Sequence, residues 1–172
     1  MVTAGQSASD RETLVRQLAT LLQRKGWQLA AAESCTGGMI AAACTALAGS
    51  SAWFECGVVS YSNAAKTGLL GVDAALIASC GAVSAEVACA MADGIRSRSA
   101  AQVGVAVTGI AGPGGAVPGK PVGTVWLAIA SPLGATAAER LQLDGDRAAV
   151  REQTVRHALV RLIERLDGAA PP

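Results

Sequence analysis

Ser34 sits in the run Ala31-Ala32-Glu33-Ser34-Cys35-Thr36-Gly37-Gly38, between an apolar stretch at 27–32 and an alanine-rich stretch at 39–48. The pattern predicts a buried strand, a tight polar turn and then a helix. The first amides of a helix have no internal partners, and its dipole adds partial positive charge there. Gly37 and Gly38 remove side chains from the place where a ligand oxygen would approach. Glu33, Cys35, Thr36, Gly37 and Gly38 are therefore candidate substrate-binding positions around Ser34. The arrangement suits a serine nucleophile with an oxyanion site, or a phosphate cradle. The same residue types also serve as an ordinary helix cap.

A serine is a weak nucleophile until a base takes its proton. The single histidine, His157, has polar neighbours at helical spacing (Gln153, Arg161, Glu164) and reads as a solvated helix position. Lysine is then the credible base. Only three lysines accompany eleven arginines, and of these Lys66 follows a predicted strand end. Its neighbours Ala64, Ala65, Thr67 and Gly68 bring no carboxylate, so burial would lower its pKa and leave a neutral amine. Tyr61, five residues earlier, could orient the lysine or relay a proton. The alternative is a lysine snorkelling from a helix surface and a tyrosine filling a strand end. Glu33 suits acid/base work, ligand orientation, or a structural pairing with backbone amides. The 108–115 loop holds Thr108, Gly109, Gly112, Gly114 and Gly115. Its backbone can approach a phosphate closely, although no GK[ST] follows to make a Walker motif. Lys120 and Arg147 could supply charge to that phosphate or be solvated.

The elements that must position these residues follow from periodicity and caps. Asp10 begins a helix with Leu14, Leu18, Leu21 and Leu22 on one face. A strand centred on 57–60 leads to a short helix capped at Ser62 and Asn63 that reaches Leu70. A further helix follows Asp73 and ends at Cys80-Gly81, and Ser84 caps the next, with Val87, Met91 and Ile95 buried. Residues 103–107 form a continuous apolar strand of the kind covered on both faces. Residues 125–130 and 136–143 flank Ser131-Pro132-Leu133-Gly134 as a hairpin. Asp146 opens a final helix to Leu166, with Val155, Leu159, Leu162, Ile163 and Leu166 as its apolar stripe. This is an α/β sandwich with a mixed sheet, and ligands bind such sheets beyond the carboxyl ends of the parallel strands. One domain is expected over 10–167, with disordered tails at 1–9 and 168–172.

Composition sets the remaining bounds. The 172 residues suit one domain, and 51% hydrophobic with 3% aromatic content means a core of Ala, Val and Leu. A net charge of +1 gives no footprint for nucleic acid. The five cysteines form no CxxC pair and the N-terminus shows no signal peptide, so a cytoplasmic chain with reduced thiols is expected. No apolar run approaches the roughly 18 residues of a membrane span. The high alanine and apolar content favours a homo-oligomer.

Several segments together resemble one family. These are 32–38, Tyr61-Ser62-Asn63 with Lys66 and 69–72, Gly81-Ala82-Val83-Ser84, 107–115, 120–126 and Gly145-Asp146-Arg147. In this order they closely resemble the CinA C-terminal domain family, across residues 12–166. The resemblance implies a three-layer α/β/α sandwich with a mixed, mostly parallel sheet. It also implies a nicotinamide-nucleotide amidohydrolase that converts nicotinamide mononucleotide to nicotinic acid mononucleotide and ammonia. Ser34 would be the nucleophile, Lys66 its general base and Tyr61 the relay or orienting partner. No metal or organic cofactor is implied, and the partner is a small nucleotide substrate. The chain lacks the larger N-terminal domain of full-length CinA proteins and so is expected to be the stand-alone form. Two other readings keep the same pocket: a nucleotide-sensing or partner-docking module without hydrolysis, and thiol chemistry at Cys35.

Overall fold

Among the described residues, five short strands, four of them running the same way, form one sheet sandwiched between two layers of helices. The computed structural model describes residues 4–168. In chain order it contains α1 (Ala4–Lys25), β1 (Leu29–Glu33), α2 (Met39–Thr45), a 3-10 turn (Ser50–Ala52) and β2 (Phe54–Val59). Then come α3 (Asn63–Leu70), α4 (Ala74–Cys80), α5 (Ala85–Ser97), β3 (Val103–Gly109), β4 (Thr124–Ser131), β5 (Gly134–Gln142) and α6 (Arg147–Asp167). The strand order is β2-β1-β3-β4-β5. β1 pairs in parallel with β2 and β3, whereas β4 is antiparallel to both β3 and β5. The sheet is therefore mixed, with β4 alone reversed.

Side chains alternate across each strand, so each strand feeds two cores. Leu29, Ala31, Val105 and Leu127 face the layer of α1, α2 and α6, against Leu18, Leu22, Ile40, Leu159 and Leu162. Ala30, Ala32, Ala106 and Ala128 face α3, α4 and α5, against Leu70, Ile77, Val87, Met91 and Ile95. An alanine-lined sheet face lets α5 approach closely. At Gly104 a Cβ would run into the carbonyl of Ala92 in α5, so no larger residue fits without moving the helix. Few aromatic residues are needed in a core this thin.

The helix caps follow the sequence. Ser62 accepts from Ala65 N, Asp73 from Ala75 N, Ser84 from Val87 N and Asp146 from Ala149 N. Two boundaries differ from expectation. The first helix begins at Ala4 rather than at Asp10, which places residues 4–9 in a helix instead of a tail. The helix expected over 39–48 stops at Thr45, because Gly49 turns the chain with φ +81° into the 3-10 turn. Gly168 caps α6 with φ +81°. Residues 1–3 and 169–172, where the rest of the expected tails fall, lie outside the described residues. Among the described residues, no helix is long and apolar enough to cross a membrane.

Register decides what meets at the sheet rim. Glu33 pairs with Val59 on one side and with Val107 on the other. The next residue of each chain segment, Ser34, Ser60 and Thr108, therefore emerges side by side at the carboxyl ends of three parallel strands.

Candidate active site

Ser34 continues the direction of β1, and its own N–H donates to Val107 O at 3.0 Å. Opposite it, Lys66 lies in the first half of α3, which Ser62 caps. Its side chain runs back beneath the rim and is only 1% exposed. Nζ lies 3.0 Å from Ser34 Oγ and donates to Ser60 O at 2.8 Å. Burial lowers the Lys66 pKa below its ordinary 10.5, only partly opposed by the nearby Cys35 thiol. The alternative of a surface lysine is thereby set aside. Ser60 Oγ, beside this pair, is a buried hydroxyl with no partner among the described residues.

Glu33 is equally buried, at 1% exposure, but has a different role. Its Oε2 accepts from Thr36 Oγ1 (2.6 Å), Gly38 N (3.1 Å) and Ile40 N (3.0 Å), and its Oε1 accepts from Ala41 N (2.8 Å). A carboxylate on the first amides of α2 satisfies orphan donors and complements the helix dipole. Both oxygens are spent, which favours the structural reading of Glu33, and the α2 amides they occupy are not open to a phosphate. Gly37 N also donates internally, to Ser34 O at 3.1 Å. The N–H groups of Cys35 and Thr36, taken by neither Glu33 nor Ser34, approach the Cys35 sulfur.

A cavity of about 210 Å³ opens above Ser34 and Lys66. Of the sequence-derived positions it brings together Ser34, Cys35, Tyr61, Lys66, Thr108 and Gly109. Glu33, Thr36, Gly37, Gly38, Gly112, Gly114 and Gly115 do not line it. Thr36 spends its hydroxyl on Glu33 and its carbonyl on Arg151 Nη2 at 2.7 Å. Gly37 and Gly38 shape the turn, with φ +62° and +98°. Gly112 gives its carbonyl to Arg147 Nη1 at 3.0 Å.

Tyr61 is at the cavity mouth, 60% exposed. Its hydroxyl accepts from Arg147 Nη2 at 3.0 Å and makes no hydrogen bond to Ser34 or Lys66. Asn63, Ala82, Val83 and Ala111 also line the cavity and were not singled out as site residues from sequence, and Arg147, considered there only as charge for a phosphate, lines it too. Each had a signal: Asn63 stands in the Tyr61-Ser62-Asn63 motif, Ala82 and Val83 in Gly81-Ala82-Val83-Ser84, Ala111 in the 107–115 segment and Arg147 in Gly145-Asp146-Arg147. The wall at 81–84 is pinned from two sides. Thr108 Oγ1 donates to Ala82 O at 2.8 Å, and Lys120 Nζ donates to Val83 O at 2.7 Å and Cys80 O at 3.3 Å. Lys120 therefore serves a wall rather than a phosphate.

Burial pushes the Cys35 thiol up to about 11. It is protonated near neutral pH, so thiolate chemistry has no support here. Among the described residues, no group of three or more His, Cys, Asp or Glu could hold a metal ion. The site that remains is a buried serine–amine pair opening on a small polar cavity.

Known proteins share this frame. The CinA C-terminal domain model matches residues 11–166. The nicotinamide-nucleotide amidohydrolase PncC of Pseudomonas putida is 53% identical over 152 residues, covering 88% of this chain and 94% of that protein. A CinA-like protein of Citrifermentans bemidjiense is 56% identical over 152 residues, and there the chain spans only 36% of the relative's length. The crystal structure of the competence/damage inducible protein CihA from Agrobacterium tumefaciens superposes with a TM-score of 0.87 at 45% identity, covering 91% of this chain and 95% of that one. The motif segments, the three-layer fold and the match over 11–166 agree: the chain belongs to the CinA C-terminal domain family.

Proposed function

We propose that the chain is a nicotinamide-nucleotide amidohydrolase that converts nicotinamide mononucleotide and water to nicotinic acid mononucleotide and ammonia. The observation that carries this reading is the 3.0 Å approach of Lys66 Nζ to Ser34 Oγ inside a buried site. Desolvation favours the neutral amine, and a neutral amine can accept the hydroxyl proton. The name of the Pseudomonas putida relative supplies the substrate class.

In the proposed sequence, Lys66 takes the Ser34 proton as Oγ attacks the carboxamide carbon. The oxyanion forms beside the N–H groups of Cys35 and Thr36, donors of this turn that Glu33 does not take and that have only the weakly accepting Cys35 sulfur beside them. A donor on the residue after the nucleophile is the usual solution for such an anion. The protonated Lys66 returns its proton to the amide nitrogen, the C–N bond breaks, and ammonia departs from a Ser34 ester. Tyr61, at the mouth, is the relay or orienting partner in this reading. Water then attacks the ester with Lys66 again as base, releasing the acid and restoring the serine.

Ammonia release from nicotinamide mononucleotide by wild type and Ser34→Ala tests the reading. Wild type alone should release it, with the variant down by at least about ten-thousandfold. No release from wild type, with the mononucleotide still bound, would replace hydrolysis by nucleotide sensing.

A further inference from the structure

The sheet has two outer strands, and their free edges are treated differently. At the β5 edge the chain covers itself. Arg165 Nη2 donates to Ala135 O at 3.1 Å, Glu139 pairs with Arg161 at 2.8 Å, and Arg140 Nη2 donates to Gly119 O at 2.8 Å. Charges and side-chain caps of this kind keep an edge from pairing with another chain. At the β2 edge nothing equivalent is present among the described residues. Ser60 N donates inward to Glu33 O, so by strand alternation Val59 and Gly57 turn their N–H and C=O groups outward, where the sheet ends. The flanks are bare as well. From Ser34 to Val72, which takes in α2, β2 and α3, the only charged residues are Glu55 and the buried Lys66, in a chain that is 16% charged. Val59 and Leu69 are 46% and 53% exposed there, beside the exposed small residues Ala42, Ala46 and Gly68. Charged groups return at the borders, as the Arg11–Glu152 pair beyond α2 and as Arg98 against Gly71.

An open strand edge with uncharged flanks invites a partner, and its chemistry selects which. The face lacks the basic residues that a nucleic acid or an anionic membrane requires, and the counter-charge that a charged protein requires. It suits a second copy of the chain, because an antiparallel edge is complementary to itself and the core of a homodimer interface is apolar and poor in charge. The face runs about 20 Å along β2 and about 30 Å across helix, sheet and helix, of the same order as the roughly 800 Å² per partner of a stable interface. We propose that two copies pair antiparallel along β2 about a two-fold axis at Val58, joining the two sheets into one. This register pairs the outward groups reciprocally, Gly57 with the partner's Val59 and Val59 with the partner's Gly57. Val58 meets the partner's Val58 in a non-hydrogen-bonded pair, where side chains approach most closely. Glu55, the one exposed charge of the face, falls opposite the partner's Tyr61 and not opposite a second Glu55. Each copy thereby reaches the mouth of the other's cavity, where the Tyr61 ring is otherwise largely in solvent.

Sedimentation velocity of the full chain tests this, whatever reaction the site performs. Wild type should sediment as a dimer at micromolar concentration. Val59→Lys brings two ammonium groups close to the axis and should weaken the dimer at least about a hundredfold, with the circular dichroism of the wild type retained. Ala135→Lys, a matching change on the β5 edge, should stay dimeric. The axis is tested separately by Val58→Cys. Mild oxidation should link two copies through that position, because facing Cβ atoms of a non-hydrogen-bonded pair lie close to disulfide reach. Ala135→Cys should give no such link. Three results would each overturn the proposal. One is a wild type that stays monomeric at high micromolar concentration, and another is a dimer that survives Val59→Lys. The third is a Val58→Cys protein that yields no more covalent dimer than the wild type.

Discussion

Glu33 and Lys66 are both ionisable, both 1% exposed, and both flank the same serine, yet their surroundings are opposites. Glu33 receives four hydrogen bonds, three of them from the start of α2, in a turn that its own carboxylate organises. Lys66 faces a hydroxyl and one carbonyl, with no carboxylate among the described residues to hold its charge. A buried charge with a full complement of partners is a structural component. A buried amine denied its counter-ion is kept ready to take a proton.

Substitution should separate the two roles. Lys66→Met is expected to lower kcat about a thousandfold, the middle of the range for loss of a general base. It should also raise the melting temperature near neutral pH. Below the folded-state pKa of Lys66 the wild-type protein must carry a buried charge, and that penalty fades as pH rises through this pKa toward 10.5. The thermal advantage of the methionine variant should therefore be widest at low pH and vanish above about 10.5, which differential scanning calorimetry across pH would check. An unchanged kcat would end the assignment of Lys66 as base.

The pH profile is the next largest effect. kcat/KM should climb about tenfold per pH unit below the folded-state pKa of Lys66 and level off above it. A flat profile between roughly pH 5 and 9 contradicts a lysine base. Glu33→Gln should behave in the other way. Replacing one carboxylate oxygen by an N–H₂ group against the α2 amides should cost about 2 kcal/mol, or roughly 4–8 °C in Tm, with kcat per folded molecule falling only a few-fold. A large loss of kcat in a fully folded Glu33→Gln would move Glu33 into the chemistry. The smallest effect belongs to Cys35→Ala. A thiol held at about 11 takes no part as a thiolate, and kcat measured by ammonia release should stay within about twofold.

Much of the rim was legible because its signals are local. Polar caps at Ser62, Asp73, Ser84 and Asp146 sit directly before their helices, and the apolar run at 103–107 marked the central strand. Ser34 and Lys66 stood at predicted strand ends, and parallel pairing brought those ends together. The alanine-rich starts and stops were less legible, because alanine suits a helix interior without marking its boundary; the first helix and α2 both differ from expectation there. The role of Glu33 was left open by sequence, since its donors lie up to eight residues ahead in a turn shaped by Gly37 and Gly38. Arg147 reaches Tyr61 across 86 residues of chain, a contact that no periodicity encodes. The pinning of the 81–84 wall by Lys120 is hidden for the same reason.

The chain contains one tyrosine, and that residue is Tyr61. Its hydroxyl rests on Arg147 at the mouth of the cavity and its ring is largely in solvent. Uniform incorporation of 3-fluorotyrosine therefore places a single fluorine nucleus at the entrance to the site, with no assignment to be made and no engineered cysteine to add. One resonance then becomes a counter of empty and filled molecules, and its line width times the exchange between them.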